Sequence, residues 1–195
     1  MTTQVLMARV KCVYYFVMGH WVAWIHGYDK TYLTGRWFAG RMGGIAAPGW
    51  RWIVVGRRGC RRLGVNGDVK WAVAPRQVVL FPHNIHFHPD DLNNFQSSGC
   101  YFQGLGQITI GRGTYIAPNV GIITSNHVPE DLDAHEPPKA VTIGEGCWIG
   151  MNAVILPGVE LGPRTVVGAG AVVTKSFPDG RCVLGGVPAR VLRTL

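Results

Sequence analysis

Residues 125–139 read SNHVPEDLDAHEPPK and hold two histidines, His127 and His135, among four carboxylates, Glu130, Asp131, Asp133 and Glu136. A neutral imidazole, with an unperturbed pKa of about 6.5, can take a proton from a weak nucleophile near neutral pH. A carboxylate close by can orient the ring or accept hydrogen bonds from a polyol. The chemistry offered is proton transfer to or from a hydroxyl. Ser125 stands two residues from His127 but belongs to no nucleophile motif, so nothing points to a covalent intermediate. A second cluster, His83, His86 and His88, occurs in FPHNIHFHPDD. On a strand His86 and His88 share a face and would make a metal pair. One rung supplies too few ligands for a closed site, and no metal is expected.

The elements that must carry these residues show a six-residue beat. From Ile143 the chain reads IGEGCW, IGMNAV, ILPGVE, LGPRTV, VGAGAV, VTKSFP. Ile, Leu or Val opens every unit, and the fifth place is usually small or β-branched. The same beat runs through IGRGTY, IAPNVG and IITSNH from Ile110, and more weakly through VAPRQV, VLFPHN and IHFHPD from Val73. A fixed hexapeptide period is the signature of a parallel β-helix. Three short strands close each coil, the leading aliphatics stack inward on their equivalents, and stability comes from stacking because no coil buries its own apolar face. A helix would need apolar residues at 3.6-residue spacing instead. The fold class expected is all-β, with a β-helix domain over residues 71–195 of about four to five coils from residue 70 to 180, an N-terminal arm and a protruding loop.

Ile122 and Ile143 are 21 residues apart, which is not a multiple of six, so a loop over 125–140 must leave the coil wall. A second excursion is expected over 88–107, and a C-terminal tail over 181–195. Coils need no long loops, and long loops in compact repeats are usually functional.

Residues 1–70 differ in kind. They hold 11 Lys/Arg against 2 Asp/Glu, whereas residues 71–195 hold 8 against 9. The basic excess (Arg51, Arg57, Arg58, Arg61 and Arg62 in particular) suits an anionic membrane face or a charged glycan. No nucleic-acid motif accompanies it, and no nucleic-acid partner is expected. Cys12 to Ile25 is mostly apolar but shorter than a spanning helix, and no small-residue cleavage site follows it. A helix is expected there, lying on a membrane or packed on the protein, with Trp21, Trp24 and Tyr28 on one face. This region is read as an N-terminal arm. Charged residues make up 15% of the chain against about 25% in an average protein, so part of the surface should be covered by another copy. The five cysteines (Cys12, Cys60, Cys100, Cys147, Cys182) have no CxxC spacing and read as reduced thiols of a cytoplasmic protein.

The strings ITIGRGTYIAPNVGIITSNH, VTIGEGCWIGMNAVILPGVELGPRTVVGAGAVVTKSF and GGVPARVLR resemble the hexapeptide-repeat acyltransferases, and within them the maltose and galactoside O-acetyltransferases and the bacterial polysaccharide O-acetyltransferases. The resemblance is strong over 108–193, weak over 73–107 and slight before residue 70. It implies a left-handed β-helix, a homotrimer, and acetyl-CoA in a groove between subunits. It implies that His127, at the start of the protruding loop, is the catalytic base for direct acetyl transfer to a sugar or glycan hydroxyl. Asn126 and His135 would meet the acceptor. Trp148, Gly150, Ala169, Thr174, Lys175, Arg190 and Arg193 match positions along the cofactor. The Asp and Asn that bind the sugar in galactoside-type relatives have no counterpart in SSGCYFQGLGQ, which argues for another glycan, one presented at the inner membrane face that the arm approaches. N-acetylation of an amino sugar is the alternative. Outside that class stand a metalloenzyme similar to the γ-type carbonic anhydrases and a non-catalytic scaffold.

Overall fold

A computed structural model describes residues 3–39 and 44–195. It separates into two units, residues 1–75 and 76–195. The expectation for the N-terminal arm extends over residues 1, 2 and 40–43, which lie outside the described residues.

In the second unit the hexads become three sheets whose strands are parallel except at the C-terminal edge of the second. Strands β1 (Val78–Leu80) and β2 (Ile85–Phe87) open the coil; β3 (Tyr101–Gln103), β4 (Ile108–Ile110), β5 (Tyr115–Ile116) and β6 (Gly121–Ile123) follow. A hairpin of β7 (His127–Val128) and β8 (Asp131–His135) leaves the wall. Then β9 (Val141–Ile143), β10 (Trp148–Ile149), β11 (Val154–Ile155), β12 (Glu160–Leu161), β13 (Val166–Val167) and β14 (Val172–Val173) complete the regular coils. β15 (Cys182–Gly185) and β16 (Arg190–Thr194) close the chain. The first sheet has the order β1-β3-β6-β11-β14, the second β16-β15-β13-β10-β5 and the third β12-β9-β4-β2. Successive strands visit the sheets in rotation, and the architecture is a parallel β-helix.

The leading aliphatics form continuous inward columns. Val79, Phe102, Ile122, Ile155 and Val173 lie in register in the first sheet. Ile116, Ile149, Val167 and Leu184 do so in the second, and Phe87, Ile110, Ile143 and Leu161 in the third. All are buried, and each is worth roughly 1.5–3 kcal/mol of apolar transfer. The fifth residues Cys147, Ala153, Val159, Thr165 and Ala171 are buried with them. One corner is a column of glycines. A Cβ on Gly111 would sit 2.4 Å from the Gly144 carbonyl carbon, and one on Gly144 would sit 2.7 Å from that of Gly162. Backbone stacks on backbone there, so no side chain fits.

The excursion at 88–107 is not a free loop. It contains β3, and before it a 3₁₀ segment, Pro89–Phe95, that caps the second sheet. Asn94 accepts from the Ile116 amide at 3.0 Å and donates to the Thr114 carbonyl at 2.8 Å. One side-chain amide thus supplies the hydrogen bonds that a further strand would give to β5. Asp91 accepts from the Gly113 amide at 2.8 Å. Phe95 fills the end of the prism against Phe87 and Phe102, with ring centroids 4.5 and 4.9 Å away.

The all-β expectation fails for the first unit. It contains helices α1 (Thr3–Ile25) and α2 (Pro48–Leu63). α2 starts with Pro48 in its first turn and ends at Gly64 in the left-handed conformation, φ +67°. Trp50, Ile53, Val54 and Cys60 form its buried face. The hexad period is absent here, and three- and four-residue apolar spacing takes its place. Among the described residues no helix is long and apolar enough to cross a membrane.

Candidate active site

The hairpin that interrupts the repeat is fastened at its root. Gln103, at the end of β3, accepts through Oε1 from the amides of Thr124 and Ser125, at 3.0 and 2.9 Å. The Thr124 hydroxyl donates to the Gln103 carbonyl and accepts from the Gly106 amide at 2.8 Å. Ser125 Oγ donates to the Glu136 carbonyl at 2.7 Å, and the Glu136 amide to the Asn126 carbonyl at 2.9 Å. The hydroxyl of Ser125 is buried and occupied, which suits a structural part and not a nucleophile.

Above this root His127 and His135 pair across the antiparallel β7–β8 ladder, with ring centroids 4.2 Å apart. His127 Nδ1 lies 2.6 Å from the Leu132 carbonyl oxygen. A carbonyl only accepts, so in the neutral ring Nδ1 carries the proton and Nε2 keeps its lone pair. A ring held in that tautomer, on an exposed loop, is equipped to remove a proton from a hydroxyl. The orienting group is a backbone carbonyl and none of the four loop carboxylates, which leaves those free to face solvent or an acceptor. Asp131 Oδ1 accepts from the Asp133 amide at 3.2 Å, a turn within the hairpin. Asn126 is exposed beside His127.

The remaining sequence-marked residues lie elsewhere on the coil. Trp148 points outward from the second sheet, 57% exposed, in register with exposed Tyr115 on one side and Val166 on the other. Arg193 and Arg190 lie at the far edge of the same sheet, on β16, opposite Val183 and Gly185. Gly150 is at the next corner, where a Cβ would come 2.7 Å from the Ala169 amide nitrogen; this explains the glycine and brings Gly150 and Ala169 together. Thr174 and Lys175 are exposed just beyond β14. The histidine hairpin follows β6 of the first sheet, whereas Trp148, Arg190 and Arg193 share the second. Sequence reasoning missed Gln103, whose role rests on a side chain reaching 21 residues along the chain. It also missed Tyr115, which the alternation of β5 places outward beside Trp148.

The histidine cluster does not form a metal pair. His86 points outward from β2, but His88 lies beyond its end, where Nδ1 accepts from the Asp90 amide at 3.2 Å. Among the described residues no group of three or more His, Cys, Asp or Glu is placed to hold a metal ion. All five cysteines are free. Burial pushes the Cys147 and Cys60 thiols up, so both are packing groups and not nucleophiles.

Residues 140–175 match the family described as bacterial transferase hexapeptide (six repeats). The chain is 40% identical over 136 residues to a putative acetyltransferase of Dictyostelium discoideum, covering 68% of this chain and 69% of that one. It is 42% identical over 132 residues to the galactoside O-acetyltransferase of Escherichia coli K12, covering 66% and 63%. A solved galactoside acetyltransferase in complex with coenzyme A superposes with a TM-score of 0.53 at 31% identity, over 64% of this chain and 61% of that one. The chain spans 46–63% of the length of the first curated relatives it matches.

Proposed function

Since the chain belongs to the hexapeptide-repeat acetyltransferase family, we propose that it moves an acetyl group from acetyl-CoA to a hydroxyl of a sugar or glycan. The observation that carries this reading is the 2.6 Å contact of His127 Nδ1 with the Leu132 carbonyl, on the hairpin that breaks the coil.

Nε2 of His127 takes the acceptor's hydroxyl proton as the oxygen attacks the thioester carbon. The tetrahedral oxyanion is held by a backbone N–H of the coil wall. Its collapse breaks the carbon–sulfur bond, and the departing thiolate receives the proton from His127. No protein nucleophile takes part. Acetyl-CoA is held by Trp148 near its acyl end, by Gly150 and Ala169 along the pantetheine arm, and by Thr174, Lys175, Arg190 and Arg193 towards its phosphates. Asn126 and His135 meet the acceptor.

The hairpin and the Trp148 sheet occupy different parts of one chain, which supports a homotrimer in which one subunit's His127 serves a neighbour's cofactor. A left-handed coil follows from the family. The free thiols and the use of acetyl-CoA suit the cytoplasm. The acceptor is a glycan other than free maltose or galactoside, and one displayed at a membrane face suits the apolar, basic first unit.

Replacing His127 with Ala tests the reading. Transfer should fall by ~10²–10⁴-fold, the usual worth of a general base. Calorimetric titration should still show acetyl-CoA binding, and sedimentation the same assembly. Transfer near the wild-type rate would put the base elsewhere.

A further inference from the structure

Helix α1 has two apolar faces, and among the described residues only one is covered. Phe16, Gly19 and Ala23 turn toward α2, where Phe16 and His20 lie against Trp50 with ring centroids 5.5 and 3.8 Å away. A Cβ on Gly19 would come 2.9 Å from the Trp50 ring, so the helices touch closely there. The other face carries Leu6, Val10, Val13, Val17, Trp21 and Trp24, spaced by three or four residues and therefore one continuous stripe. All six are exposed, Trp24 to 80%. A stripe this long on a water-facing helix marks a docking surface.

Its border is cationic. Arg58 donates to the Tyr14 hydroxyl at 3.3 Å, and Arg57, Arg58 and Arg61 line a groove of about 190 Å³ with Met18 and Trp21. Burial, with Arg57, Lys70 and Arg61 nearby, holds His26 below its ordinary range. Neither α1 nor α2 contains an acidic residue.

We propose that α1 lies in the plane of an anionic phospholipid surface, with its Leu6–Trp24 stripe in the acyl boundary and Arg57, Arg58 and Arg61 on the headgroups. Three features select this occupant. The exposed apolar face of α1 offers a partner to acyl chains, and the arginines that α2 sets along its border offer one to anionic headgroups. Tryptophan prefers the membrane–water boundary. A second copy docked on the same face would set arginine rows of like charge against each other. This deepens the membrane-displayed acceptor inferred above, although the surface itself is argued from the first unit alone.

Co-sedimentation of the full chain with phosphatidylglycerol–phosphatidylcholine vesicles tests it. Binding should be strong on these vesicles, weak on phosphatidylcholine alone, and reduced by added salt. Tryptophan emission should shift to the blue on binding, and W24S should diminish that shift. R58Q and R61Q should each lower the partition coefficient about fivefold, the equivalent of ~1 kcal/mol per basic residue near an anionic surface. Absence of vesicle binding would overturn the proposal, as would binding indifferent to lipid charge and to these substitutions. An assembly that W24S dissociates, with no vesicle binding, would assign the stripe to a second copy and overturn it equally. Acetyl-CoA titration without vesicles reports on the transferase reading and is independent of this result.

Discussion

The repeat is interrupted twice, and the two interruptions behave in opposite ways. The segment 89–95 turns inward: Leu92, Asn94 and Phe95 are buried, and the prism end is finished by their packing. The hairpin 127–135 turns outward: His127, Leu132 and His135 are exposed, and one of its backbone carbonyls holds an imidazole. A break that buries its side chains completes a core, and a break that exposes them leaves them open to a ligand. Stability and activity should therefore separate cleanly between the two.

The sharpest contrast is between His127→Ala and Phe95→Ala. The first should remove nearly all transfer and leave the thermal midpoint within the small range expected of a surface change. The second should cost about 3–5 kcal/mol of stability, as large aromatic truncations in cores do, with residual activity below the new midpoint close to normal. Denaturant melts and initial rates on both variants check this, and a large melting shift in His127→Ala would break the comparison. Next comes Asn94→Ala, which strands the Ile116 amide and the Thr114 carbonyl at the sheet edge. Each unsatisfied group costs about 1–3 kcal/mol, so the loss should approach that of Phe95→Ala, and hydrogen exchange at Ile116 should accelerate most.

The subtlest test sits between the two regions. Gln103 belongs to the coil by its backbone and to the hairpin by its side chain. Gln103→Ala should lower kcat several-fold with little change in KM for acetyl-CoA, because the hairpin root loosens. Gln103→Glu retains an acceptor oxygen for both amides and should recover most of that loss. Equal defects in the two variants would show that the bonds to Thr124 and Ser125 do not set the hairpin.

Much of this was legible in the chain. The place of Ile143, Ile149 and Ile155 in the inward columns follows from period alone, because stacking demands the same residue type at each turn. The outward course of residues 125–139 followed from a count that was not a multiple of six. Other parts depend on what tertiary structure brings together. Leu132 holds His127 through a backbone carbonyl, a group every residue has and no sequence advertises. Asn94 imitates a strand across 20 residues or more, which no local pattern encodes. α2 was missed for a different reason. Its arginines drew attention as charge, while Pro48 in the first turn and Gly64 at the end were ordinary helix signals within the same stretch.

The second sheet has one more consequence. Outward residues Tyr115, Trp148, Val166, Val183 and Arg193 stand on successive rungs, and rungs are ~4.8 Å apart. The wall is thus graduated like a ruler, with an aromatic mark near one end and a basic mark three rungs, about 14 Å, away. Inserting or deleting one whole coil between them would move the marks by a single graduation while every inward column still met its own kind. A repeat of this sort can change the length it measures without changing how it folds.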